Sequence, residues 1–164
     1  MSPALERILT PSVNRPPRLE PAETASSRAL RARREEVLNV FVIFTLVNAT
    51  LQALKEAGKL AHQLNGRIML VAPQVVPYPL PLTSPPVLLD WNERRLRVVA
   101  NQSAVETIVR IYLCRDRWQA LEHVLRPHSL VVVGGPKRWW PTRESRLARR
   151  LRRAGHEVIL AKTE

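Results

Sequence analysis

Residues 130–144, LVVVGGPKRWWPTRE, hold the grouping best suited to chemistry. An apolar run meets Gly134 and Gly135, then Lys137, Arg138, Trp139 and Trp140, before a helix start at Thr142. Glycines after a strand let backbone N–H groups close on phosphate oxygens, and cations and a helix amino end favour the charge. The tryptophans can stack on a base, or pack against the sheet end or a second subunit. Other chemistry is thinner. Arg115 and Arg117 follow Cys114 closely and favour a thiolate, but the residue reads better as a small buried strand position. His62, His123, His128 and His156 share no metal-ligand spacing with one another or with Cys114. No nucleophile elbow, Walker loop or dinucleotide fingerprint occurs. No catalytic or metal-binding residues are therefore assigned, and the sequence reads as non-enzymatic.

Composition narrows the setting. A chain of 164 residues with 45% apolar content can build one domain plus a tail. The apolar run VLNVFVIFTLV is about half of what a bilayer span needs. The N-terminus lacks the apolar core and cleavage site of a secretory leader. A single cysteine forms no internal disulfide, and a reducing cytoplasm is the expected compartment. The formal charge of +12 favours acidic partners: nucleotides, nucleic acid or an anionic membrane face.

Elements must position these residues, and the chain divides near residue 36. Residues 1–36 contain Pro3, Pro11, Pro16, Pro17 and Pro21 with few large apolar side chains, the pattern of a disordered, Pro/Arg-rich tail. From residue 37 to 164 strands and helices alternate. Val37–Phe44 reads as a strand buried on both faces. Asn48-Ala49-Thr50 can cap a helix with Leu51, Leu54, Ala57, Ala61 and Leu64 on its core face, closed by Asn65-Gly66. Ile68–Val71 is the second strand. Six prolines between Pro73 and Pro86 then mark a surface excursion rather than further strand. Asp90 caps a helix ending near Asn101, and Thr107–Cys114 is the third strand. Asp116 and Gln119 start a helix with Trp118, Leu121, Val124 and Leu125 facing inward. Ser129–Val133, a helix from Thr142 to Gly155, and Val158–Ala161 complete the series. Five strands alternating with four helices predict a doubly wound α/β domain, Rossmann-like, with helices on both faces of a parallel sheet.

The stretches NVFVIFTLVNATLQALKEAGKLAHQLNGRIMLV, RIYLCRDRWQALEHVLRPHSLVVVGG and ESRLARRLRRAGHEVIL resemble successive units of universal stress protein (UspA-like) domains. The resemblance covers roughly residues 37–162 and implies a stress-response domain with strand order 3-2-1-4-5. Its ligand site would lie where strands 1 and 4 part. That places Thr45, Leu46, Val47 and Asn48 opposite Gly134, Gly135, Pro136, Lys137 and Arg138. ATP-binding members carry an acidic residue at the end of the first strand. Their loop reads Gly, two residues, Gly, nine residues, then Gly and Ser or Thr. Here that position falls on or next to Thr45, which is not acidic. Counting from Gly134 puts Lys137 and Leu147 at the later glycines; counting from Gly135 puts Arg138 and Ala148 there. The nucleotide motif is thus degenerate. Thr45, Asn48, Gly134, Gly135, Lys137 and Arg138 remain the candidate cofactor-binding residues, for weak ATP or another anionic ligand.

Two surfaces complete the expectations. The family commonly pairs through its last strand, which implies a homodimer through Val158, Ile159 and Leu160. The last helix carries a basic stripe, including Arg146, Arg149, Arg150 and Arg153, able to meet an anionic ligand or nucleic acid. The leading reading is a regulatory or adaptor domain with degenerate nucleotide binding. A nucleotide-binding stress protein with a divergent loop stands as the alternative, and a basic nucleic-acid binder stands behind both.

Overall fold

A computed structural model describes residues 38–136 and 141–163. The tail, Lys137, Arg138 and the Trp139–Trp140 pair therefore lie outside the described residues. Nine elements follow in order: β1 (Asn39–Ile43), α1 (Val47–Gln63), β2 (Arg67–Val75), α2 (Leu89–Ala100), β3 (Thr107–Cys114), α3 (Arg117–Val124), β4 (Leu130–Pro136), α4 (Arg143–Arg153) and β5 (Glu157–Thr163). All strand pairs are parallel, in the order β3-β2-β1-β4-β5. The expected doubly wound fold is present.

Strand periodicity explains why both faces are covered. Val40 and Val42 point to one side, with Ile68, Leu70, Val132 and the α1 residues Ala53, Leu54 and Ala57. Phe41 and Ile43 point to the other, with Met69, Val71, Val131, Leu121 of α3 and Leu151 of α4. Alternate side chains leave a strand on opposite faces, so a strand buried on both must be apolar throughout. The chain winds β1-β2-β3 with α1 and α2 on one face. It then returns beside β1 and winds β4-β5 with α3 and α4 on the other, as right-handed crossovers require.

Four local expectations need correction. First, β2 runs through Pro73 to Val75, into what reads as excursion. Arg67 N–H bonds to Leu38 on the β1 side, while Ile68 and Val76 N–H groups bond to Glu106 and Cys114 on the β3 side. By that alternation the nitrogen of Pro73 faces β1, which has already ended, so its missing N–H removes no ladder bond. Second, β4 does not stop at Val133: Gly134, Gly135 and Pro136 are strand, paired with Ala161, Lys162 and Thr163. Third, Leu46 rather than Asn48 holds the cap position of α1, without a side-chain bond. Fourth, Leu88 precedes α2, and Asp90 lies in its first turn. Asp116 and Thr142 cap as expected, accepting from Gln119 N–H at 2.9 Å and Ser145 N–H at 3.1 Å. Helix α4 closes through Gly155, whose φ of +90° suits a residue without Cβ.

Candidate functional site

The topology parts at the carboxyl ends of β1 and β4. Thr45, one residue past Phe44, donates its hydroxyl to the Gly134 carbonyl at 3.3 Å. Its backbone N–H donates to the hydroxyl of the fully buried Thr50 at 3.2 Å. A carboxylate at Thr45 could not donate to that carbonyl and would face its negative end instead. Thr45 thus ties β1, β4 and the first turn of α1 together by a donor role an acidic residue lacks.

Gly134 has a packing reason to be glycine. A Cβ built there would lie 1.8 Å from the Ala49 carbonyl oxygen. Helix α1 presses its backbone onto β4 at this point, so no side chain fits. Gly135 faces the opposite side, where a Cβ would meet Glu144 Cβ at 3.0 Å and Leu160 Cδ1 at 3.5 Å. Both glycines admit helices to the strand.

Beside them lies a cleft of about 290 Å³, lined by Thr45, Leu46, Arg117, Arg143, Glu144 and Leu147. Arg117 directly follows the cap of α3, and Arg143 directly follows the cap of α4. The two helices therefore bring both amino ends and one arginine each to the same opening. Among the described residues the ion pairs are Lys59–Glu56 and Arg97–Glu93. Neither Arg117 nor Arg143 has a described carboxylate within ion-pair range, and Glu144 is the one acidic residue of the described lining. The electrostatics favour an anion, held by forked guanidinium donors and helix dipoles.

Of the expected site residues, Thr45 and Gly134 are brought into contact. Gly135 is buried in the strand, its carbonyl accepting from the Thr163 hydroxyl at 3.5 Å. Asn48 is exposed in the first turn of α1 and is not among the residues lining the cleft. Lys137 and Arg138 lie outside the described residues. The arginines of the cleft form a pairing that the stretch 130–144 does not reveal. Its signal is positional: each follows a helix cap after a strand on one face of the sheet.

The remaining candidates for chemistry are quiet. Cys114 is buried and its thiol donates to the Gln74 carbonyl at 3.6 Å. Burial raises its pKa, outweighing the lowering by Arg117, so the nucleophilic form is disfavoured. Burial, with nearby His128, lowers the pKa of His156. No cluster of three metal-ligating side chains occurs among the described residues. A second, mostly apolar groove of about 670 Å³ runs between α1 and the α2–β3 turn, past Leu51, Leu54 and Val105.

No protein-family model matches the chain, and no curated protein matches it. Among solved structures it is similar to one described as "Crystal structure of universal stress protein in complex with cAMP". The identity is 18% and the TM-score 0.45, over 78% of this chain and 98% of that one. No described helix is long and apolar enough to cross a membrane.

Proposed function

We propose that the domain is a non-enzymatic, universal-stress-type regulatory or adaptor module whose β1/β4 cleft takes an anionic ligand without reading a base. The observation that carries this reading is the cleft's pair of arginines, Arg117 and Arg143, at two helix amino ends and without an ion-pair partner among the described residues. Gly134 supports the degenerate character, because it is occupied by the backbone of α1 instead of standing free for phosphate. Lys137 and Arg138 follow β4 directly in sequence and would add to the positive charge.

The second reading, a polyanion surface on α4, rests on its outward arginines. Arg146, Arg149 and Arg153 are exposed and have no described partner, while Arg150 lies 4.0 Å from the Trp118 ring centroid. Homodimerisation through β5 belongs to the same proposal. β5 is an edge strand, and edges invite pairing. The Arg152 guanidinium already donates to the Val158 carbonyl at 2.8 and 3.2 Å, so a pairing strand must displace it.

Calorimetry with magnesium-ATP, GTP and a short oligonucleotide tests the reading. Binding should be weak, similar for all three, and reduced steeply from about 50 to 200 mM salt. A one-to-one, low-micromolar, adenine-selective isotherm at about 150 mM salt would favour the divergent nucleotide site instead.

A further inference from the structure

The exposed apolar side chains are unevenly placed. Ten large ones are exposed among the described residues, and seven belong to segments at the carboxyl end of the sheet. These are Leu46 after β1, Val75 ending β2, and five between Tyr78 and Trp91. Four stand well out: Tyr78 is 80% exposed, Leu88 77%, Leu46 63% and Trp91 55%.

The loop presenting most of them is held in place. Arg115 donates to the carbonyls of Val76 at 2.8 Å, Pro77 at 3.1 Å and Leu80 at 2.7 Å, and its guanidinium lies 4.1 Å from the Tyr78 ring centroid. At the other end Gln74 donates to the Val87 carbonyl at 3.2 Å and accepts from Asn92 at 2.9 Å. A loop tied at both ends could have turned its apolar side chains inward. It presents them outward. Trp91 has Arg95 at 5.5 Å, and Arg117 and Arg143 open to the same end.

The pattern selects among occupants. A second copy meeting this end would set Arg95, Arg117 and Arg143 against their own kind, on chains of formal charge +12. The side chains protrude from several loops, which suits a broad surface. Tryptophan and tyrosine settle at headgroup depth, and arginines beside them meet lipid phosphates. We propose that the carboxyl end of the sheet docks peripherally on an anionic lipid bilayer, with Tyr78, Leu88 and Trp91 entering the interface.

Sedimentation with phosphatidylcholine vesicles, alone or with about 30% phosphatidylglycerol, tests this at about 150 mM salt. The protein should pellet with the anionic vesicles and stay in solution with the neutral ones. Leu88→Asp with Trp91→Asp should weaken anionic binding at least about tenfold. Its melt should be unchanged, because both side chains are exposed. Undiminished binding by this variant would overturn the proposal, leaving only charge adsorption. So would failure of the unaltered protein to bind anionic vesicles at about 50 mM salt, where attraction is least screened. A dimer in light scattering that the variant abolishes would assign the patch to a second copy instead.

Discussion

Strand β4 meets a helix on each face, and the two meetings differ. On one face α1 brings its own backbone onto Gly134 through a row of alanines, Ala49, Ala53, Ala57 and Ala61, all buried. On the other, α4 approaches Gly135 with the side chain of Glu144, and the cleft lined by Arg117 and Arg143 remains beside it. The sealed face uses glycine to remove volume. The open face leaves room where helix ends and arginines converge. A glycine pair after a strand is therefore not in itself a phosphate cradle.

The largest expected effect tests the sealed face. Gly134→Ala puts a methyl group into the Ala49 carbonyl, and backbone must move, so we expect a loss of about 3 kcal/mol or more. The melting midpoint should fall by about 10 °C. Gly135→Ala meets the Glu144 Cβ at 3.0 Å, a crowding that a few tenths of an ångström of shift in the first turn of α4 relieves, and should cost about 1 kcal/mol. Equal midpoints for the two variants would erase the distinction between the faces.

Thr45→Asp sharpens the same contrast. The change exchanges a hydroxyl donor for a carboxylate facing the Gly134 carbonyl, and should cost about 1–2 kcal/mol by denaturant melting. It should not create adenine-selective binding, because the loop glycines are also missing. A stabilised variant that binds ATP tightly would show that the residue at 45 alone decides whether nucleotide binds.

Sequence patterns gave the sheet order's ingredients clearly, because apolar strands and three- and four-residue helix steps are local signals. The strand order itself came from the resemblance alone, since pairing is not local. The extent of β2 was hidden by Pro73, whose harmless orientation depends on where β1 ends. The role of Gly134 was hidden for a similar reason: the atom that excludes its Cβ belongs to Ala49, 85 positions earlier in the chain. Arg117 and Arg143 were visible as residues, yet only the fold brings the two helix ends together.

Smaller effects follow at the edges of the domain. Arg152→Ala frees the Val158 carbonyl and should tighten self-association through β5, seen as a rise in mass by light scattering at tens of micromolar. An unchanged monomer mass would remove β5 as the pairing edge. For His156, whose folded pKa is lowered, the neutral form is favoured in the native state. Its contribution is full above the unfolded value of about 6.5 and is lost as pH falls below it. Denaturant midpoints should decline from about pH 6.5 to 5, and His156→Gln should flatten that decline. An identical slope in the variant would place the titration elsewhere.

The cleft is tested most directly by reversing its two cations together, Arg117→Glu with Arg143→Glu, and titrating tripolyphosphate calorimetrically at about 50 mM salt. Both side chains are exposed, so the melt should stay within a few degrees of the unaltered protein. The predicted result is an affinity lower by at least about tenfold, as loss of two charge-assisted contacts requires. Undiminished binding by a folded variant would contradict the cleft and move the anion site elsewhere on the chain.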